Sequence, residues 1–369
     1  MVEVEYDLQA VSLHDSPNPY LRFSDLLPIK TSHERLPGDA RYTPTIHATR
    51  LGAYLGMRAL YLKNETVLPT RSTKDRMAVV SLAYLRERGV RAFCTSSTGN
   101  SSTAYAYAIR SYPEMRLCLF TAEDFVWRVQ HADHEQVVHF ALRDASFVDA
   151  FECAGKYANA HGLVSERGFF NIGRREGLKL AFFEASEQVP GPIDWYVQAV
   201  SSAMGVYGTY KGAKELQGIG RIERLPRLLC VQQDECAPMA RAFREGSPTI
   251  QPHHVVLRPR GIAEAILRGD PTRAYPHVRG VVIESGGDFV SVNEPGIREA
   301  RRMVEEMEGV SPCFSAAAAV AGLIKQVRAG TFPLGDTVLV NLTGGERTGG
   351  AQPSNVIWMQ RDFRGWPER

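Results

Sequence analysis

Short apolar runs rich in β-branched residues alternate along the chain with longer segments of helical periodicity. The runs ALYLKNE, RAFCTSS, RLCLFTA, WYVQAV, LPRLLCVQ and TVLVNLTG predict strands. Helices are predicted between them, for example over STKDRMAVVSLAYLRERG, which ends on a glycine. Strands that alternate with helices form a mostly parallel sheet covered on both faces. We therefore expect an α/β protein with enough units for two sheets.

The same reasoning assigns the middle and late parts of the chain. It predicts a helix over EQVVHFALRD, a strand over SFVDAF and a helix over CAGKYANAHG. Further on, GVVIES and DFVSV are expected to be short strands. Helices are predicted over EPGIREARRMVEEMEG and AAAAVAGLIKQVRAG before the last strand.

Composition and charge narrow the classes of partner. The 369 residues are 44% hydrophobic and 23% charged, which suits a globular protein of two domains or one large one. The formal net charge of +2 gives no reason to expect a nucleic-acid or membrane partner. No apolar run approaches the roughly 20 residues that cross a bilayer, and MVEVEYDLQA lacks the features of a secretion signal.

Cysteine and histidine spacing predicts neither a disulfide framework nor a metal site. The six cysteines contain no C-x-x-C pair, which is typical of reduced thiols in a cytoplasmic protein. The segment HADHEQVVH contains three histidines, but the second histidine of an H-E-x-x-H motif would fall at Val138. We therefore expect a solvated helix face there and no metal.

Four polar or glycine-bearing segments follow predicted strands. They are PTRSTKDR, TSSTGNSST, SSAMGVYG and TGGERTGG. Each by itself is what the start of a helix requires. Ligands of parallel sheets lie beyond the carboxyl ends of the strands, so the four together predict one polar pocket.

The residue types in these segments indicate the chemistry. Helix N-termini offer unpaired N–H groups, so SSAMGVYG could hold a phosphate and STGNSS a substrate carboxylate. Lys74 is predicted in the first turn of a helix, where the dipole and partial burial lower the pKa of its amine. A nucleophilic amine beside a phosphate site suggests a Schiff base with pyridoxal phosphate.

The motifs also resemble a known family. LYLKNETVLPTRSTKDR is similar to the LYLKxE…NPTGSFKDR segment of threonine synthases, which are pyridoxal-phosphate enzymes of fold type II, the tryptophan synthase β superfamily. TSSTGNSSTAYAYA, WYVQAVSSAMGVYGTYKGAKEL and TVLVNLTGG match further family segments in the family's order. The resemblance runs from about Arg41 to about Gly350 and implies two doubly wound α/β domains with the cofactor in the cleft between them.

The resemblance also implies domain boundaries and an assembly. Residues 68–175 would form the smaller domain, with the Schiff-base lysine and the Ser-Thr-Gly-Asn loop. Residues 1–67 plus 176–369 would form the larger domain, with the phosphate loop and the contact to the pyridine nitrogen. A homodimer is the habit of the family, and a small-molecule amino acid is the expected substrate.

Residue roles follow from the same resemblance. Lys74 would form the Schiff base and move protons at the substrate, Asn100 would bond the phenolic oxygen of the cofactor, and Thr343 would face the pyridine nitrogen. The substrate-carboxylate loop would consist of Ser97, Thr98, Gly99 and Ser101. The loop for the cofactor phosphate would consist of Ser201, Ser202, Ala203, Met204 and Gly205.

Each role has a purely structural alternative. Asn100 could only begin a helix, and Thr343 could only end a strand. Asp75 and Arg76 lie inside the lysine motif but are expected mainly to brace the helix. Glu65 is as readily a local ion-pair partner as a ligand contact.

The chain departs from the family pattern around the substrate. Arg71, Thr73 and Met77 replace a glycine, a phenylalanine and a glycine of TGSFKDRG, and the phosphate loop GNAGN reads SSAMG. An Asn-Ser pair that grips the substrate phosphate in the family is replaced by Gly168 and Phe169. The family's arginine is kept as Arg174. We expect an altered substrate whose anionic part is bound by Arg71 or Arg174.

The sequence therefore predicts a lyase or synthase that performs elimination or replacement on an amino acid with a leaving group, with O-phospho-amino acids favoured. One alternative is a true threonine synthase acting on O-phosphohomoserine. Another is β-replacement on O-phosphoserine, as in cysteate or cysteine synthases. A scaffold protein that binds the cofactor without turnover is the alternative outside enzymes.

Overall fold

The structure is a computed structural model that describes residues 1–30, 34, 36–38, 40–347 and 353–361. The strands of these residues, in chain order, are β1 (Thr45–His47), β2 (Leu60–Asn64), β3 (Ala92–Ser96), β4 (Arg116–Ala122), β5 (Val137–Arg143), β6 (Val164–Ser165), β7 (Trp195–Ala199), β8 (Arg227–Gln233), β9 (Asp288–Val292), β10 (Val338–Leu342) and β11 (Val356–Gln360). The helices are α1 (Pro19–Arg22), α2 (Thr49–Leu55), α3 (Lys74–Glu87), α4 (Asn100–Ala108), α5 (Phe147–Ala160), α6 (Ile172–Leu178), α7 (Leu180–Gln188), α8 (Met204–Gly218), α9 (Pro238–Arg244), α10 (Tyr275–Glu284), α11 (Glu294–Glu308) and α12 (Phe314–Arg328).

The described strands form two sheets. The larger sheet has the order β1-β2-β10-β7-β8-β9, and its pairings are parallel apart from β1 with β2. The register aligns Val338 of β10 with Leu60 of β2 and with Trp195 of β7. The central strands are buried along their whole length, as expected for strands covered by helices on both faces. The predicted α/β class is confirmed.

The smaller sheet has the order β11-β5-β4-β3-β6, with parallel pairing throughout. Its edge strand β11 comes from the C-terminal part of the chain, which the sequence assigned to the larger domain. The division at residues 68–175 stays a prediction, and β11 is the strand of the smaller sheet that lies outside those boundaries.

Two predicted elements in the middle of the chain are wrong. EQVVHFALRD contains strand β5, in which the consecutive residues from His139 to Leu142 are buried and therefore lie on both sides of the sheet, where periodicity does not separate strand from helix. SFVDAF opens helix α5, which Ser146 and Asp149 begin through a reciprocal capping box. His139 is therefore a buried residue of β5, bonded to Thr121 at 2.7 Å, and burial lowers its pKa to about 4.

A third wrong assignment is GVVIES, which lies at the end of helix α10. Only Tyr275, Val278 and Val282 are buried in this helix, a spacing of three and four residues that faces one side inward. The segment from Gly280 to Ser285 is too short to contain that spacing, so that its β-branched residues alone suggested a strand. DFVSV, by contrast, is strand β9 as predicted.

The hydrophobic core consists of buried clusters on the faces of both sheets. On one face of the larger sheet, Leu60, Val197 and Val340 pack with the alanine-rich helix α12. All six cysteines are free thiols, and five of them are buried. Within the described ranges, no helix combines the length and the apolar character that crossing a membrane requires.

Candidate active site

A cavity lies where strands β2, β3, β7 and β10 end. Its wall includes Lys74 beyond β2, Ser97 beyond β3, Ser201 beyond β7 and Thr343 directly after β10. The four polar segments that follow these strands in the sequence therefore converge on one space. The predicted pocket at the carboxyl ends of the strands is present.

Most of the predicted site residues line this cavity. They are Lys74, Ser97, Thr98, Asn100, Ser101, Arg174, Ser201, Ser202, Ala203, Met204, Gly205 and Thr343. Gly99 and Arg71 are not in the lining.

Lys74 is the first residue of helix α3 and faces the cavity. Its turn is held by Thr73, whose N–H donates to the carbonyl of Thr343 at 2.9 Å, and by Ser72, whose hydroxyl accepts from the Lys74 N–H at 3.3 Å. Within the described residues Nζ has neither a hydrogen bond nor an ion pair. Burial, and secondarily the charge of Arg174, lower the pKa of Lys74 to about 8. A large fraction of this amine is therefore neutral at mildly alkaline pH.

The loop before helix α4 is organised by Ser97. Its hydroxyl accepts from the N–H of Gly99 at 3.1 Å and from the N–H of Ser102 at 3.0 Å, so this side chain caps the helix. Gly99 adopts a φ of 118°, and a Cβ there would lie 2.6 Å from the Cβ of Arg128. Gly99 is thus required by the turn itself, because a side chain there would be strained and would collide with Arg128.

Asn100 begins α4 and lies between the cavity and Arg347. The guanidinium of Arg347 donates from Nη2 to Oδ1 of Asn100 at 2.5 Å. This bond fixes the orientation of the Asn100 amide. The amide nitrogen of Asn100 is then available to donate a hydrogen bond to a ligand. Arg347 is a neighbour of the site that the sequence reasoning missed.

Helix α8 presents an anion-binding end to the cavity. Its first turn has no side-chain cap, and Ala203 before it adopts a φ of 59°. Gly205 lies so close to Gln198 that a Cβ would be 2.8 Å from its Nε2. Bare N–H groups at the positive end of a helix dipole suit a phosphate group. The hydroxyl of Ser96, buried in the same cavity wall, has no partner within the described residues.

Arg174 reaches the cavity wall but its charge is already paired. Nε donates to Glu166 in a buried ion pair, and the remaining nitrogens donate to Ser101 Oγ and Thr95 Oγ1, each at 3.1 Å. Glu166 also accepts from the hydroxyl of Tyr105 at 2.9 Å. Burial alone would lower the pKa of Arg174, but the negative charge of Glu166 raises it. Arg174 thus braces the loops around α4, with its charge compensated.

Arg71 is exposed and lies away from the cavity. Its backbone has a φ of 56°, and its carbonyl accepts from the N–H of Gly345 at 2.9 Å. The side chain rests on the same glycine, because a Cβ at Gly345 would lie 2.7 Å from Nη2 of Arg71. The structure does not bring Arg71 together with the other predicted site residues.

The acidic and basic neighbours of Lys74 pair locally. Asp75 accepts from the N–H and the hydroxyl of Thr70 at 2.7 and 2.6 Å. Arg76 donates to Glu65 at 2.6 Å and to Glu184 at 2.6 Å. The bracing role expected for Asp75 and Arg76, and the local pairing of Glu65, are confirmed.

Several residues of the cavity wall carry no sequence signal. They come from helix α5, from the turn before α6, from the loop after α9 and from the start of α12, and include Phe147, Phe151, Phe169, Arg268 and Cys313. Phe169 was noted only as the loss of a family residue. Long-range folding brings the others to the site, so no local pattern could have indicated them.

One histidine cluster lies outside the cavity. Glu245, His253 and His254 place ligand-type atoms within 4.8 Å of one another. The Nδ1 of His254, however, accepts from the N–H of Gln251 at 2.9 Å, and its Nε2 faces Glu245 at 2.8 Å. A neutral ring with this pattern carries its proton on Nε2, toward the carboxylate, and offers no lone pair to a metal there.

The chain resembles known proteins in sequence over most of its length. The family described as pyridoxal-phosphate dependent enzyme matches residues 37–344. A threonine synthase from Mycobacterium leprae is 32% identical over 306 residues, which cover 82% of this chain and 80% of that protein. A cysteate synthase from Methanosarcina mazei is 25% identical over 357 residues, covering 94% of this chain and 86% of that protein.

Solved structures show the same fold. The structure of maize serine racemase superposes with a TM-score of 0.69 at 21% identity, covering 84% of this chain and 89% of that one. At this identity the likeness establishes the arrangement of the sheets and helices and nothing about the substrate.

Proposed function

Because the chain belongs to the family of pyridoxal-phosphate dependent enzymes, in its threonine synthase-like, fold-type-II group, we propose that it performs elimination or replacement on an amino acid that carries a leaving group. The observation that carries the proposal is the unpaired amine of Lys74 in the wall of the cavity, with its pKa lowered to about 8. A general acid or base works best when its pKa lies near the working pH.

The residues of the cavity fit pyridoxal phosphate. Lys74 supplies a partly neutral amine for its aldehyde, and the bare first turn of α8, with Ser201 and Ser202 before it, would hold its phosphate. The free amide nitrogen of Asn100 would donate to the phenolic oxygen, and the hydroxyl of Thr343 would face the ring nitrogen. When bound, the cofactor withdraws electrons from the α carbon of an amino acid, so that its proton can leave.

The residues of this chain would then position the substrate and move its protons. The amine of Lys74 would take the proton from the α carbon and hold it next to the carbons of the side chain. The first turn of α4, with Thr98 and Ser101, would bind the substrate carboxylate through N–H and hydroxyl groups. The turn made possible by Gly99 exposes those groups to the cavity.

Thr343 favours chemistry at the side chain over transamination. A hydroxyl beside the ring nitrogen, in place of a carboxylate, leaves that nitrogen largely unprotonated and tempers the withdrawal of electrons. Expulsion of a leaving group from the side chain needs less withdrawal than full transfer of the amino group. This supports elimination or replacement as the reaction type.

Two substrates follow from the relatives. O-phosphohomoserine would make the protein a threonine synthase, as the Mycobacterium leprae relative is named, and O-phosphoserine would make it resemble the cysteate synthase. Phe147, Phe151 and Phe169 form an aromatic part of the cavity wall. This favours a side-chain pocket that differs from that of a threonine synthase, and therefore a substrate other than O-phosphohomoserine. A homodimer in the cytoplasm is proposed from the family resemblance and the free thiols.

Absorbance spectroscopy tests the proposal directly. The purified protein with pyridoxal phosphate is expected to show a visible band that Lys74→Ala lacks, while Lys156→Ala, on the exposed side of α5, keeps it. Turnover should fall by about 10³-fold or more in Lys74→Ala, because both attachment and proton transfer are lost.

The substrate is identified by spectral change and product release. O-phospho-L-homoserine, O-phospho-L-serine and O-acetyl-L-serine are added in turn, with and without a thiol or sulfite as nucleophile. A visible band that no amino acid perturbs would contradict the proposal and favour a binding protein without turnover.

A further inference from the structure

Arg268 lies in the wall of the cavity with its charge unpaired. Its Nε donates to the carbonyl of Asp270 at 3.2 Å, and its guanidinium stacks over Phe147, 5.6 Å from the ring centre. Within the described residues it has no ion pair, and its terminal nitrogens have no hydrogen-bond partner. The carboxylate of Asp270 accepts from the N–H and hydroxyl of Thr272 and makes no ion pair with Arg268, although its charge partly offsets the effect of burial on the pKa of Arg268.

Two arginines of the cavity wall therefore differ in kind. Arg174 is paired with Glu166, whereas Arg268 makes no ion pair within the described residues and has Asp270 only as an opposite charge beyond ion-pair contact. Among the described residues that line the cavity there is no aspartate or glutamate, so Lys74 and Arg268 remain as its unpaired cations. Burial also lowers the pKa of Arg268, because its charge is removed from water. A partly buried cation without an ion-pair partner is stabilised when a ligand supplies an anion.

The backbone around Arg268 is firmly positioned. Gln233 at the end of β8 bonds the carbonyl of Ala263 at 3.1 Å, and Ser315 at the start of α12 accepts from the N–H of Ala265 at 3.1 Å. Gly269 accepts from Val256 at 3.0 Å and is packed so tightly that a Cβ would lie 1.8 Å from the Val256 carbonyl oxygen. The backbone that carries Arg268 is thus held in place before any ligand binds, which lowers the entropic cost of binding.

We propose that Arg268 binds an anionic group on the side chain of the substrate and so selects amino acids whose leaving group is charged. The proposal rests on the proposed function, which assigns the two other anions to helix ends: the cofactor phosphate to α8 and the substrate carboxylate to α4. Phe147, Phe151 and Phe169 line the same cavity and make that part of its wall apolar, and a charge-assisted hydrogen bond is stronger in apolar surroundings than in water. Phosphate esters of serine or homoserine match this chemistry.

Titration of the cofactor-loaded protein with three amino acids tests the inference. Arg268→Gln is expected to raise the Kd for O-phospho-L-serine and O-phospho-L-homoserine about 10- to 100-fold, the effect of losing a charge-assisted hydrogen bond. The Kd for neutral O-acetyl-L-serine should change by less than about twofold. Arg268→Lys should recover part of the phosphate affinity, because it restores the charge without the planar fork.

Arg273→Gln is the matched control. Arg273 lies in the same loop and its guanidinium also stacks on a phenylalanine, 4.8 Å from the ring centre of Phe170, but it is exposed and outside the cavity wall. It should leave all three dissociation constants unchanged. The visible band of each variant shows that it folds and holds its cofactor.

Three results would overturn the inference. Arg268→Gln could bind both phosphorylated amino acids as the wild type does. It could bind all three amino acids and the cofactor more weakly by the same factor, which would mean that Arg268 contacts the cofactor phosphate. The wild type could bind O-acetyl-L-serine at least as tightly as the phosphorylated amino acids. In each of these cases the proposed reaction still stands, whereas a missing visible band would remove the proposed function as well.

Discussion

The first turn of helix α3 carries two cations, Lys74 and Arg76, in opposite electrostatic surroundings. Lys74 faces the cavity and has no ion-pair partner within the described residues. Arg76 points into the interior, where Glu65 and Glu184 each bind it at 2.6 Å. Burial alone lowers the pKa of both, yet the pKa of Lys74 falls to about 8 while that of Arg76 rises well above its ordinary value.

The interior side forms a compact buried charge cluster, made of Lys63, Glu65, Arg76 and Glu184. Lys63 bonds Glu184 at 2.7 Å, and the side chains of all four are at most 1% exposed. Burial would raise the pKa of Glu65, but Arg76 outweighs it and the pKa falls to about 2. Each charge in the cluster has an opposite charge in contact, so the cluster is structural.

The difference between the two sides shows how one helix turn serves both stability and chemistry. Lys74 and Arg76 are only two residues apart along the chain. Arg76 is surrounded by carboxylates and is inert, whereas Lys74 has no carboxylate in contact and is reactive. A buried amine without a counter-ion loses its proton more readily, which is what a nucleophile requires. Three predictions test this contrast, starting with the largest expected effect.

Removing the interior cation should destabilise the protein strongly. Arg76→Met leaves Glu65 and Glu184 buried without their main partner, and we expect the free energy of unfolding to fall by about 3–5 kcal/mol. Urea denaturation measures this. Arg86→Met, at the end of the same helix and paired at the surface with Glu34 and Glu114, should cost about 1 kcal/mol or less. Equal losses in the two variants would contradict the structural role of the cluster.

Replacing Lys74, the cation that faces the cavity, should raise stability by a smaller amount, and the size of this difference should depend on pH. The folded-state pKa of Lys74, about 8, lies below its ordinary 10.5, so the unfolded chain binds the extra proton between those values. Stability of the cofactor-free protein should therefore rise with pH across this window, by up to roughly 3 kcal/mol.

Lys74→Met should lack this gain and should be the more stable of the two cofactor-free proteins at neutral pH. Unfolding measured at several values from pH 7 to pH 10 provides the check, with Lys156→Met as the exposed control. A constant difference between wild type and Lys74→Met across the range would show that the amine is not perturbed.

The smallest effect is expected at Arg347, whose surroundings are intermediate. Burial lowers its pKa to about 10, no carboxylate of the described residues pairs with it, and its contact is the amide oxygen of Asn100. Arg347→Met should free that amide to rotate, shift the visible band of the bound cofactor and lower kcat/KM by about tenfold or less.

Arg347→Lys should restore part of the band position, because it keeps a donor to Asn100. Arg302→Met, on the exposed face of α11 and paired with Glu306, is the control. An unchanged spectrum in Arg347→Met, with only stability reduced, would mean that Arg347 does not position Asn100.

Much of the fold was accessible from the sequence. Strands β2, β3, β4, β7, β8, β9 and β10 were predicted, because an apolar run of β-branched residues before a polar helix start is a local signal. The predictions at β5, α5 and α10 are wrong for three different reasons. Strand β5 is buried on both faces, α5 begins with a capping box, and α10 buries residues three and four apart. The assignment of β11 to the smaller sheet depends on a pairing with β5, which no local pattern contains.

The candidate site divides in the same way. Lys74, Asn100, Thr343 and the loop from Ser201 to Gly205 follow strand ends directly, so the sequence located them and with them the cofactor. The expected anion contacts, Arg71 and Arg174, were not found as free cations, because one is exposed outside the cavity and the other is bound by Glu166. Arg268, which also lines the cavity, is the anion contact that we propose instead.

The sequence by itself determined the fold class, the family and the lysine, since these depend on periodicity and on motifs a few residues long. The tertiary structure decided which cations are neutralised and which are free. Glu184 lies 108 residues from Arg76 along the chain, and Arg268 reaches the cavity on a loop held by β8 and α12. Charge interactions depend on distance in space and on burial, and neither is written in the order of the residues.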